Sequence, residues 1–190
     1  SEYTNGVSIN LLAGISQNEK YFTFGGLANI IRNNATGVQF AGLFNTIVKN
    51  AGGLQFSGLF NTIGNDANGL QLAGLFNHTK NTASGLQFAG IYNYASSGKG
   101  LQFGGIANIN PEEFGGLQFA GISNVSGNLK GFQFAGISNM AEDVEGFQFA
   151  GIMNIARNVK GAQFGLVNIA ENNDCPIGLV NIIKNGEMSV

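Results

Sequence analysis

Residue types that build most catalytic and metal sites are scarce in this sequence. The 190 residues include one cysteine, Cys175, one histidine, His78, two prolines and no tryptophan. A single cysteine excludes an intrachain disulfide, and a single histidine excludes a metal site built from several imidazoles. We therefore predict no metal and no cofactor. We expect His78 to be a polar turn residue and Cys175 to be a small apolar filler.

Charge is also sparse, because only 11% of the residues are Asp, Glu, Lys or Arg and the net charge is −2. Such a chain lacks the basic footprint of a nucleic-acid-binding protein, so we predict no nucleic-acid partner. No apolar run approaches the ~18 residues of a membrane-spanning helix, and we predict no membrane-spanning segment. The chain begins at Ser1, which is compatible with the removal of a leader peptide.

Glycine is abundant, at 30 residues, and it marks a tandem repeat. The stretch GLQFSGLFN at 53–61 returns as GLQLAGLFN at 69–77 and as GLQFAGIYN at 85–93. One asparagine recurs in each copy at steps of 13 to 16 residues. The members of this column are Asn29, Asn45, Asn61, Asn77, Asn93, Asn108, Asn124, Asn139, Asn154, Asn168 and Asn181.

A period near 15–16 residues is too short for helical or leucine-rich repeats, which need about 20 or more residues. The period predicts an all-β fold, a single-stranded parallel β-solenoid (β-helix) of about 11 coils with 13–16 residues in each coil. We predict an N-terminal cap at 1–21, the repeat solenoid at 22–183 and a C-terminal tail at 184–190. Pro176, in the last copy, is expected to blunt the final sheet edge.

Alternation within the unit suggests which columns are buried. Leu54 and Phe56 alternate with Gln55 and Ser57, so we predict that Leu and Phe columns form the core and provide most of the stability. We expect amide ladders to set the register, with the structural asparagines Asn45, Asn61, Asn77, Asn93, Asn108, Asn124, Asn139 and Asn154. A further apolar column on the turn side is predicted to point inward, namely Ala35, Ala51, Ala67, Ala83, Phe114, Leu129, Val144 and Val159.

Four aromatic residues stand in line between the Leu or Ile and the Asn of successive copies. Phe44, Phe60, Phe76 and Tyr92 are 16 residues apart, and small residues replace them in the next copies. Their parity predicts an outward-facing aromatic stripe, and the alternative is that they belong to the core. An exposed stripe would bind a partner chain, a lipid or carbohydrate, with a homodimer as the simplest case.

A polysaccharide-degrading β-helix enzyme is the alternative function. Its acidic groups would come from turns two coils apart, namely Glu112, Glu113, Glu142, Asp143 and Glu145. Two coil steps correspond to roughly 10 Å, slightly beyond the ~6.5–9.5 Å separation of carboxyl groups in inverting glycosidases. Solvated turn charges are the simpler explanation of these residues, and we predict no enzymatic activity.

The copies QFGLVNIA at 163–170 and IGLVN at 177–181 resemble a bacterial surface-repeat family. That family carries tandem G-x-Q-x-G-L-x-N units in proteins of spirochaetes and Bacteroidetes. The resemblance extends over roughly residues 22–183, although most copies here have one residue more than the family pattern. It implies a secreted or cell-surface protein without a known catalytic role. We therefore expect a noncatalytic, extracytoplasmic β-solenoid that acts as a structural or interaction surface.

Overall fold

The computed structural model describes residues 3–186, which form strands and turns and contain no helix. The predicted parallel β-solenoid is confirmed, with about 12 turns where the sequence predicts about 11. The additional turn lies at residues 4–16. There Gly14 occupies the position that Asn29 has in the next coil, so counting the repeated asparagines misses this turn. Residues 187–190, and with them most of the predicted tail, lie outside the described residues.

The chain divides into two compact units, residues 1–96 and residues 97–190. The strands of the first unit are short and follow one another around each coil. They are β1 Thr4–Asn10, β2 Ala13–Ser16, β3 Asn18–Gly25, β4 Ala28–Ile31, β5 Val38–Ala41, β6 Phe44–Ile47, β7 Ala51–Ser57, β8 Phe60–Ile63, β9 Ala67–Ala73 and β10 Phe76–Ala89.

The strand β11, Tyr92–Gly104, begins in the first unit and ends in the second. The remaining strands belong to the second unit. They are β12 Ala107–Ala120, β13 Ser123–Ala135, β14 Ser138–Met140, β15 Asp143–Ala150, β16 Met153–Ile155, β17 Asn158–Phe164, β18 Val167–Ala170, β19 Asn172–Ile177 and β20 Val180–Ile183.

Successive coils pair in parallel, so each residue lies beside its counterpart in the next copy. In the first unit Asn45 pairs with Asn61, and in the second unit Asn124 pairs with Asn139. Because neighbouring parallel strands lie about 4.8 Å apart, like side chains form continuous columns.

The asparagine ladder is confirmed in both units. In the first unit Asn45 Nδ2 donates to Asn61 Oδ1 at 2.9 Å and to the backbone carbonyl oxygen of Phe56 at 3.0 Å. The same pair of bonds recurs in the second unit, where Asn124 Nδ2 donates to Asn139 Oδ1 and to the Phe134 carbonyl. Each amide therefore joins two rungs and also satisfies a backbone carbonyl at the corner of the coil.

Glutamine forms a second ladder, and it runs in the opposite direction. Gln133 Nε2 donates back to Gln118 Oε1 at 2.8 Å, and Gln148 Nε2 donates back to Gln133 Oε1 at 2.8 Å. In the first unit this ladder is interrupted, because the buried atoms Gln55 Oε1 and Gln71 Nε2 have no hydrogen-bond partner among residues 3–186.

The prediction that Leu and Phe columns form the core is wrong. Gln55 and Ser57 are 0% and 3% exposed, whereas Phe56 is 44% exposed and Leu54 lies at the surface beside it. A coil of 15–16 residues encloses a narrow interior, and the two amide ladders occupy it. The alternation of this strand therefore places amides and small residues inside and the large apolar side chains outside.

The turn-side column is buried as predicted, and its change in size has a visible cause. In the first unit Ile31, Ile47 and Ile63 fill the interior beside small Ala35 and Ala51. In the second unit the same positions hold smaller or polar residues, from Asn110 to Ala170, before isoleucine returns at Ile183. The turn-side column becomes larger there, with Phe114, Leu129, Val144 and Val159. Where one column holds smaller side chains the other holds larger ones, so the interior stays filled.

The predicted cap at 1–21 takes part in the sheet over its described residues. β1 pairs in parallel with β3, and the proposed boundary at residue 22 falls inside β3. Glu19, only 3% exposed, joins this first coil to the next. Its carboxylate accepts hydrogen bonds from Ser8 Oγ at 2.8 Å and from Asn5 Nδ2 at 2.9 Å. Whether the segment acts as a cap stays a prediction.

Replacing a central rung should destabilise the solenoid strongly. Asn61→Ala removes the acceptor of Asn45 Nδ2 and the donor to Asn77 Oδ1 and to the Leu72 carbonyl. Since each buried group left unpaired costs about 1–3 kcal/mol, we expect a loss of about 3 kcal/mol or more in the free energy of unfolding. The outward neighbour Thr62→Ala is the control and should cost less than about 1 kcal/mol. Urea unfolding measures both, and similar losses would contradict the ladder's role.

Two adjacent glycines should respond oppositely to alanine. Gly116 has φ of 129°, and a Cβ there would overlap the carbonyl oxygen of Gly100 in the preceding coil. A Cβ on Gly115 would meet only the Lys99 side chain, at 3.8 Å. We expect Gly116→Ala to lower the melting temperature markedly, and Gly115→Ala to be neutral or stabilising by up to about 1 kcal/mol. Equal melting temperatures for the two variants would refute this difference.

Candidate interaction surface

The aromatic stripe lies on the outward face of the second strand of each coil. Phe44, Phe60, Phe76 and Tyr92 are half-buried, while the asparagine that follows each of them is buried. Successive ring centroids are 4.9–5.0 Å apart, with interplanar angles of 1–4°. The four rings thus form one continuous stack outside the interior of the first unit, and their role in binding stays a prediction.

Stacking decides which part of each ring faces solvent. The neighbours in the stack cover both faces of Phe60 and Phe76, so these rings direct their edges outward. A flat sugar ring binds an aromatic side chain by lying against its face, which is unavailable along this stack. The geometry therefore favours apolar packing of a protein or acyl surface over recognition of carbohydrate.

His78, which we expected on the turn side of its repeat, follows Asn77 within β10 and is partly exposed. It follows the stripe on the same face and stacks on Tyr94, with ring centroids 4.7 Å apart. Burial lowers the pKa of His78 below its usual value. The imidazole is therefore neutral at pH 7, and the face around the stripe carries no charge from it.

The sequence prediction missed a larger apolar surface on the first strand of each coil. In the second unit three rows point outward and are defined here as the apolar sheet face. They are the row Leu101, Leu117, Phe132 and Phe147, the row Phe103, Phe119, Phe134, Phe149 and Phe164, and the corner row Ile106, Ile122, Ile137, Ile152 and Leu166.

The repeat itself gives no decisive signal for the orientation of these rows. The position of Gln55 holds glutamine in nine of eleven copies, and the position of Phe56 holds phenylalanine in nine of eleven. The two columns are therefore equally restricted, and their residue types alone do not show which of them is confined in the interior.

Charged side chains lie on the turn side of the second unit. Asp143 accepts a 2.8 Å ion-pair hydrogen bond from Arg157 and a 2.7 Å hydrogen bond from Asn158, and these contacts lower its pKa. A carboxyl group held ionised in this way is poorly suited to act as a general acid. Glu113 and Asp143 are separated by two coil steps, or roughly 10 Å. These two carboxyl groups therefore give the polysaccharide-degrading alternative no support, and the absence of enzymatic activity stays a prediction.

Cys175 is exposed in β19, so our expectation of a buried filler is wrong. It lies in register with Ala162 of the preceding coil. Within residues 3–186 no three or more His, Cys, Asp or Glu side chains are grouped in a way that could hold a metal ion.

Comparisons of this chain with protein-family models, with curated proteins and with solved structures found no match. The part of the chain that the structure describes contains no helix long and apolar enough to cross a membrane.

Proposed function

We propose that this protein is a noncatalytic β-solenoid of the cell exterior whose outer apolar rows bind other proteins. The observation that carries the proposal is the inversion of the usual side-chain distribution. Amides fill the interior of each coil, while Phe, Leu and Ile cover two of its outer sides. Apolar surface on this scale is characteristic of a surface that a partner covers.

The aromatic stripe is the proposed binding site of the first unit. Beside its half-buried rings, the corner residues Leu43, Leu75 and Ile91 are each 37–38% exposed. Thr46, Thr62 and neutral His78 flank it on the other side, so the surface is apolar with an uncharged border. Such a surface suits the dry centre of a protein interface, which is depleted in charged residues.

The proposed exterior location has two supports. The tandem copies resemble units of a bacterial surface-repeat family, and the repeated coils present an extended outer surface with few charges. The location is independent of the binding proposal and needs its own test.

A crosslinking group beside the stripe should capture a protein partner. We would place p-benzoylphenylalanine at Thr62, next to the stripe, and at Asp66, on the exposed turn side, as the matched control. Irradiation of intact cells should crosslink the Thr62 variant, and adding F60S/F76S should abolish the adduct. Circular dichroism checks that F60S/F76S keeps the fold. Adducts of equal yield from Asp66, or adducts that survive F60S/F76S, would exclude the stripe as the binding site.

The exposed thiol of Cys175 provides a test of location. Because it is the only cysteine, a membrane-impermeant maleimide reports on one position. We expect labelling of intact cells, with no signal from the Cys175→Ser control. Labelling that occurs only after lysis would place the protein inside the cell and refute the proposed location.

A further inference from the structure

The apolar sheet face of the second unit is larger and more exposed than the predicted stripe. Eight of its side chains are each 37–51% exposed: Ile106, Ile122, Phe132, Ile137, Phe147, Phe149, Ile152 and Leu166. With about 200 Å² for a fully exposed large side chain, these eight alone present roughly 700 Å². The largest apolar patch on a typical monomer is about 300–600 Å², and one side of a standard protein interface is about 800 Å².

The face carries a fixed repeat. Phe119, Phe134 and Phe149 occupy successive coils in register, and the Phe103–Phe119 and Phe119–Phe134 ring centroids are 4.8 and 5.0 Å apart. Ridges of side chains therefore alternate with grooves at the spacing of parallel strands, about 4.8 Å. A surface with this spacing interdigitates best with another surface of the same spacing, as identical sheets do in dry β-interfaces.

Charge distinguishes a protein partner from a lipid surface. Among residues 97–186 there are seven carboxylates and five Lys or Arg side chains, all outside the three apolar rows. A separate outward column, one residue after the buried turn-side column, alternates in charge. In it Lys130, Glu145 and Lys160 lie side by side. The border of the face therefore carries Lys99, Lys130 and Lys160 together with Glu145. This is fewer basic residues than the clusters of about 4–8 Lys or Arg that bind anionic lipid. A second copy meets no charge within the uncharged rows of the face.

We infer that the apolar sheet face of the second unit is a homodimer interface, in which two copies pack face to face about a two-fold axis. A two-fold arrangement places the same rows of both copies against each other, so their repeats match. The inference rests on the proposed interaction role and names the partner of this face. It leaves the stripe of the first unit available to a different protein.

Sedimentation velocity over a concentration series tests the interface with the full chain. We expect the wild-type chain to form dimers, and F134S/F149S to raise the dissociation constant at least about tenfold. F60S/F76S is the matched control, with the same two substitutions made on the stripe, and it should leave dimerisation unchanged. Circular dichroism checks that both variants keep the β-sheet signal.

A second measurement covers the case in which F134S/F149S fails to fold. In a Cys175→Ser background, Ile137→Cys lies on the corner row, and Lys130→Cys lies on the turn side of the same coil. Oxidation should crosslink the Ile137→Cys variant into a covalent dimer and leave the Lys130→Cys variant monomeric.

Three results would overturn the interface. They are a wild-type chain that stays monomeric, dimerisation lost in F60S/F76S but kept in F134S/F149S, and covalent dimers from Lys130→Cys but not from Ile137→Cys. A monomer that floats with phosphatidylcholine vesicles through Phe134 and Phe149 would make the face a lipid surface and also refute the dimer. Each of these results leaves the Thr62 crosslinking test intact, so the general interaction role can survive the loss of this interface.

Discussion

The structure depends on the repeated asparagine, whose side-chain NH2 group donates two hydrogen bonds. At the corner between the two strands of a coil, from Phe40 onward, a backbone carbonyl accepts a hydrogen bond from the asparagine of the preceding coil. Asn61 Nδ2 satisfies the Leu72 carbonyl at 3.0 Å while its second hydrogen bonds Asn77 Oδ1 at 2.9 Å. No apolar residue can replace it, because a buried carbonyl left unpaired is costly. The asparagine must therefore point inward in each coil that carries it, from Asn29 to Asn181.

That requirement determines where the apolar residues go. Two amide ladders and two further columns fill the narrow interior of each coil. The two further columns complement each other in size, as Ile47 and Ala51 do in the first unit and as Asn110 and Phe114 do in the second. The large side chains of the first strand, such as Phe56 and Phe149, are left outside. The interior is held by hydrogen-bonded columns together with the buried apolar clusters, and the outer hydrophobic surface remains available for association. The scarcity of charge in the sequence follows from the same arrangement, because neither the interior, apart from Glu19, nor the apolar outer rows hold charged residues.

Much of this fold can be predicted from the sequence, and the reason is the period. The spacing of Asn45, Asn61 and Asn77 predicts the parallel register, and the parity of Phe60 against Asn61 predicts the outward side of the second strand. The first strand could not be assigned in the same way, because alternation of period two fits either orientation of Gln55 and Phe56. Burying the more hydrophobic residues would place Phe56 inside and Gln55 outside, which is the wrong orientation. The width of the interior decides the orientation, and width is a property of the closed coil.

The two ladders run in opposite directions. Asparagine amides donate toward the next coil, as Asn124 does to Asn139, and glutamine amides donate toward the previous one, as Gln133 does to Gln118. Their amide dipoles therefore oppose each other within a unit, unlike the aligned peptide dipoles that build charge at the ends of an α-helix. Adding a whole coil contributes almost no axial dipole. Where both ladders are continuous, as in the second unit, the ladders themselves therefore set no electrostatic limit on the number of coils.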